Sequence, residues 1–192
     1  MDYFAKLSHK VGYNLVESGI VEAEDVELYI YGINQILVAM LNLSTALIIG
    51  LIFGVFFEIA VFMAAYIPLR SFAGGFHAKT PLRCYVFSVI MLTGVSISMK
   101  CVFAADWVYY AILAATALVV FILFPVEDRN KTLDVIEQDV YKTRTIVISI
   151  VEILLSILLK IVGLDSLFVA IVYSYIVLSV MLVAGKIKNQ FN

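Results

Sequence analysis

His77 and Cys84 stand seven residues apart in a short polar stretch of an otherwise very apolar chain. The stretch, from Pro68 to Cys84, also holds Arg70, the Gly74-Gly75 pair, Lys79, Pro81 and Arg83. A thiol and an imidazole are the parts of a cysteine nucleophile with its general base. Thr80-Pro81 marks a helix start, with Thr80 as the cap and Pro81 at the first helical position. Cys84 then falls in the first turn, near the positive end of the helix dipole and close in sequence to three basic side chains, a setting that favours the thiolate. On one continuous helix His77 and Cys84 would share a face about 10 Å apart along the axis, too far for a hydrogen bond. Gly74-Gly75 and Pro81 argue against such a helix, and a chain that folds back before Pro81 brings the imidazole to the sulfur. The plainer alternative stays open: a small apolar cysteine at an interface and a solvated loop histidine. One histidine and one cysteine fall short of the three or four ligands that zinc takes, so no metal or other cofactor is expected. Cys101 lies about 25 Å further along the same helix, beyond disulfide reach, and reads as structural.

The elements that must position this pair are membrane helices. Of 192 residues, 63% are hydrophobic and 15% are charged, against roughly a quarter charged in soluble domains. The reading is an all-α, polytopic membrane protein forming a single domain over residues 1–192, with about six transmembrane helices and an N-terminal amphipathic helix. The net charge of −2 says nothing about nucleic acid, and with no basic patch large enough to suggest it, no nucleic acid partner is expected. Phe4, Leu7, Val11, Leu15 and Ile20 recur at helical spacing among charges near the N-terminus, which fits a helix lying on the bilayer or a cap packed on the bundle. The acidic residues mixed into this segment argue for a retained part of the protein rather than a cleaved signal. From Leu28 to Leu69 the single charge is Glu58. As one helix that run would be roughly 60 Å long, twice the hydrocarbon core, so it must reverse. Gly50 and Gly54 offer the turn, and they also match a small-xxx-small packing motif. Further spans are expected over 81–99, 107–126, 145–163 and 166–185, the fifth carrying Glu152 and Lys160.

The basic residues alternate with the spans. Lys6 and Lys10, then Arg70, Lys79 and Arg83, then Arg129, Lys131, Lys142 and Arg144, and finally Lys186 and Lys188 fall on one side, leaving Lys100 and Lys160 for the other. By the positive-inside rule both termini and the 70–83 and 127–144 loops face the cytoplasm, which places His77 and Cys84 in a reducing compartment at the membrane surface. Glu152, an ionisable group within a span, is a pointer to a cavity or a buried partner.

The run Arg70-Ser71-Phe72-Ala73-Gly74-Gly75-Phe76-His77-Ala78, followed by Cys84, resembles the signature of the accessory gene regulator B family. These are bacterial membrane endopeptidases that process quorum-sensing pro-peptides. Pro125-Val126-Glu127-Asp128-Arg129-Asn130-Lys131 is similar to the family's second motif, and the order of the two agrees across essentially the whole chain. The resemblance implies a thiol protease of the bacterial cell membrane, with His77 and Cys84 catalytic and Arg70 and Gly75 supporting. Arg70 would bind an acidic side chain or a carbonyl of the substrate, and Gly75 would let the backbone turn sharply. It implies a small amphipathic pro-peptide substrate with an internal Cys and an acidic tail, a lipid bilayer around the protein, and a homodimer. Arg129 and Lys131 would attract the acidic tail or serve topology alone, and Glu152 would line the substrate cavity. Two other classes, a membrane peptide exporter and a non-catalytic scaffold, are separated from this one by whether Cys84 is replaceable.

Overall fold

Long apolar runs in a bilayer leave the backbone no hydrogen-bonding partner but itself, so they form helices. The computed structural model describes residues 2–76, 78, 80–126 and 134–191. Its helices are α1 (Asp2–Glu17), α2 (Val26–Phe53), α3 (Phe56–Ala73), α4 (Pro81–Cys101), α5 (Asp106–Leu123), α6 (Val135–Ile161) and α7 (Asp165–Phe191), with a 3-10 turn at Ala23–Asp25. Helices α2, α3, α4, α5 and α7 are each long and apolar enough to cross a membrane. The remaining long helix, α6, carries Arg144, Glu152 and Lys160 along its length and packs against α3 and α7. The protein is an all-α polytopic membrane protein.

The core is built on two matching stripes. On α7, Phe168, Ile171, Tyr175, Leu178 and Leu182 are buried, and on α3, Ile59, Phe62, Tyr66, Leu69 and Ala73 are buried. Each set advances by alternating steps of three and four, the seam spacing of helices that cross at a shallow angle. These two helices form the most extensive pairing in the fold, and α5 and α6 close around α7. Helix α2 joins the rest through α3 and α4, and it also carries α1. Helix α1 lies on α2 through buried Ser8 and through Gly12, where a Cβ would sit 2.4 Å from Ile30. Its Tyr3, Val11 and Tyr13 remain exposed. Lys6, His9 and Lys10 are exposed beside them, so the outward side of α1 mixes aromatic and charged groups.

The two glycines of the first hairpin divide the work that the sequence left undecided between them. Gly54 ends α2 at φ +70° and donates to Gly50 and Leu51 carbonyls, so it makes the turn. Gly50 is the packing position: a Cβ there would lie 3.1 Å from Phe56 Cα. Two boundaries differ from those expected. Helix α3 continues through Pro68 to Ala73, so Arg70 belongs to its last turn and not to a loop. A proline removes one backbone donor, and a membrane helix packed on neighbours tolerates that. Helix α6 begins at Val135, ten residues before the expected span. Asp134 and Glu137 form a reciprocal capping box there, which holds the polar segment helical.

At the end of the bundle away from Cys84, Lys160 Nζ lies 2.7 Å from both Asp106 and Asp165. A cation in the last turn of α6 thus meets carboxylates in the first turns of α5 and α7, the arrangement that all three helix dipoles favour. Lys160 also sits over the Phe168 ring, 5.9 Å from its centroid.

Replacing Gly54 with alanine forces a side chain into the left-handed region, at a cost of about 1–2 kcal/mol. Gly54→Ala should therefore lower the unfolding temperature in detergent. Gly32→Ala, in open space on the same helix, should leave that temperature unchanged or raise it.

Candidate functional site around Cys84

Where α3 ends, the chain lies flat against its neighbours and every amide of the next three residues has a partner. Gly74 N–H donates to Arg70 O (3.2 Å), Gly75 N–H to Val126 O (3.2 Å) and Phe76 N–H to Met181 O on α7 (2.8 Å). Val126 N–H returns a bond to Ala73 O (2.9 Å), making a one-residue parallel bridge. The Arg70 guanidinium folds over the end of its own helix and donates to Gly74 O and Phe76 O. Its charge also suits a helix C-terminus. The sequence left Arg70 free to bind substrate; the structure shows these donors spent on loop carbonyls.

This placement requires glycine. Gly74 has φ +78° and Gly75 φ +119°. A Cβ on Gly74 would fall 2.0 Å from Val126 O, and one on Gly75 would fall 2.9 Å from Met181 O. From the other side, a Cβ on Gly185 of α7 would lie 2.7 Å from Gly75 C and from Phe76 N. Gly185 escaped the sequence reading, which took it only as the end of a span. The available signal was a glycine within a helix, costing roughly 0.5–1 kcal/mol, which needs a close approach to justify it.

Helix α4 begins as Thr80-Pro81 predicts. Thr80 Oγ1 accepts from Arg83 N–H at 3.3 Å, and Pro81 occupies the first turn. Cys84 lies in that turn, exposed, its N–H donating to Thr80 O at 3.0 Å. Ser88 Oγ donates to Cys84 O at 3.0 Å. Cys84 lines a cavity of about 420 Å³ between α3, α4 and α7. Tyr66 of α3, buried one helical turn before Arg70, lines it too; it is a second residue that the sequence did not single out. A buried tyrosine generally keeps its hydroxyl partnered.

His77 lies outside the described residues, as do Lys79, Arg129 and Lys131. The chain neighbours of His77, Phe76 and Ala78, both line the Cys84 cavity. Glu152 is buried on α6 beside Tyr175 of α7 and is absent from that cavity's wall. Tyr175 donates to Ser149 O at 3.2 Å, and Glu152 Oε2 and Ser149 Oγ are buried without a hydrogen-bond partner. The start of α6 braces the end of α3, with Arg144 5.0 Å from the Phe72 ring centroid and Tyr141 edge-on to Phe72 at 5.5 Å. Chemically, the site offers a solvent-reachable thiol at a helix N-terminus, above an apolar cavity, beside a loop held by main-chain bonds.

The family described as AgrB, Accessory gene regulator B, matches residues 7–184. A curated relative, "Putative AgrB-like protein 2" of Clostridium perfringens (strain 13 / Type A), is 24% identical over 115 residues. The match covers 56% of this chain and 54% of that protein, so the chain spans about half the length of the relative. No solved structure matches.

Gly185→Ala improves the helix propensity of α7 while pushing the loop off it. It should speed hydrogen exchange at the Phe76 amide by roughly fivefold, the loss of a bond worth about 1 kcal/mol. Val183→Ala, on an exposed position of the same helix, should leave that rate unchanged.

Proposed function

The chain belongs to the accessory gene regulator B family, a membrane component of agr quorum sensing, and from that premise we propose that it is a cysteine endopeptidase that cleaves and cyclises a small AgrD-like pro-peptide. One observation carries this reading: Cys84 stands in the first turn of α4, in the wall of a cavity that the residues on both sides of His77 also line.

The proposed reaction has two steps. Cys84 Sγ attacks the carbonyl at the end of the signal segment, and His77 accepts the thiol proton. The C–N bond breaks, His77 returns the proton to the leaving amine, and the acidic tail departs. What remains is a thioester between the peptide and Cys84. The peptide's internal cysteine then attacks that carbonyl, forming a thiolactone and restoring the Cys84 thiol. One thioester replaces another, so the second step needs little driving force but does need water excluded. An internal serine would give a lactone instead.

Arg70 and Gly75 act as positioning residues, because their contacts are with the loop and α7 rather than with open space. Arg129 and Lys131, close in sequence to Val126, attract the acidic tail. Glu152, placed against Tyr175, is not assigned to the substrate. The distribution of basic residues supports a plasma-membrane protein with both termini and the Cys84 end in the cytoplasm. The homodimer implied by the family resemblance belongs to the same proposal.

Cys84→Ala should abolish cleavage of a co-expressed pro-peptide, by about 10³-fold or more as scored by mass, and His77→Ala should do nearly the same. A pro-peptide whose internal cysteine is replaced by alanine cannot cyclise, so a hydroxylamine-sensitive adduct should accumulate on Cys84. Normal cleavage by Cys84→Ala would leave the exporter or scaffold reading standing. In a protein with Cys84 and Cys101 replaced by serine, a cysteine introduced at Ser71 should react with membrane-impermeant maleimide only after cells are opened; labelling in intact cells would reverse the orientation.

A further inference from the structure

The Cys84 cavity continues well below the thiol. On α4, Cys84, Phe87, Ser88 and Met91 follow one another down one face, so the floor is about 10 Å from the nucleophile along the axis. Val177 and Val180 of α7 form the opposite wall. At about 420 Å³ the space falls in the range of pockets that enclose a compact ligand, roughly 300–1,000 Å³.

Among the described residues the wall has no charged side chain, and Ser88 already bonds the Cys84 carbonyl. Below the thiol, a polar or charged guest would lose hydration that the apolar side chains of Phe87, Met91, Val177 and Val180 do not replace. The guest must also be something that stays while the tail departs. In the reaction proposed above, the acyl portion remains bonded to Cys84 until the internal thiol reaches it, whereas the acidic tail must leave.

We propose that this cavity is the acyl-residue pocket. It seats a large apolar side chain on the residue whose carbonyl Cys84 attacks, and Met91 and Val177 set its depth. The inference rests on the cysteine-endopeptidase reading and adds to it the residues of this chain that would read the side chain at the end of the signal segment. Burying that side chain holds the thioester in register and keeps water from beneath it.

The test uses the full-length protein in lipid vesicles with pro-peptides whose acyl residue is Ala, Leu, Phe, Trp or Asp, reading the rate of thioester formation on Cys84. Wild type should favour Leu and Phe over Ala by about tenfold or more, the scale of selectivity a hydrophobic pocket provides, and should reject Asp. Val177→Phe fills the floor and should shift preference towards Ala. Met91→Ala deepens it and should shift preference towards Trp. Opposite shifts in two variants cannot come from a general loss of folding. A profile that is flat across the panel, or identical in all three proteins, would overturn the pocket and leave the peptidase reading intact; the cavity would then hold a lipid tail rather than substrate. Cleavage of any member of the panel by Cys84→Ala would instead sink the reading on which the pocket rests.

Discussion

A chain that leaves a helix at the edge of a bilayer must find partners for its amides, and here that constraint shapes everything near Cys84. Gly74, Gly75 and Phe76 resolve it with three different acceptors: the end of their own helix, the Val126 carbonyl and a carbonyl of the central helix. Arg70 answers the complementary problem by covering two carbonyls that the helix end leaves open. An unpaired buried peptide group costs roughly 1–3 kcal/mol. The loop therefore has one position in which it is stable, and that position is against α7.

The rest of the bundle keeps α7 where the loop needs it. The matched stripes on α3 and α7 fix their mutual register, and the loop bonds to both helices. At the opposite end, Lys160 ties α5, α6 and α7 together through two carboxylates. Helix α4 is held chiefly by α2 and much less by α7. That looseness is the origin of the cavity: α4 presents the thiol at its capped N-terminus but does not close onto the central helix below it.

Much of this was legible in the sequence because single residues act locally. Thr80-Pro81 starts α4 by cap chemistry alone, and the Leu28–Leu69 run had to reverse for reasons of length. What was not legible depended on partners distant along the chain. Arg70 read as a supporting residue of unspecified partner because the loop carbonyls it bonds come near only when the chain folds back. Gly185 read as a span end because the backbone that crowds it arrives from residues 75 and 76. Glu152 read as a pointer to a cavity or a buried partner, and Tyr175, which lies beside it, comes from a different helix. The early start of α6 was available from Asp134 and Glu137, and composition, which favoured a polar loop, concealed it.

The Phe76–Met181 bond joins one main chain to another, and amides and carbonyls are common to nearly every residue type. Nothing in that bond specifies phenylalanine or methionine. The geometry that aims the loop is restricted instead at Gly74, Gly75 and Gly185, where an added carbon collides with backbone. The side chains of Phe76 and Met181 both line the cavity under Cys84. The fold thus separates the positions that hold the loop, which are backbone and glycine, from the side chains that shape the cavity beside Cys84.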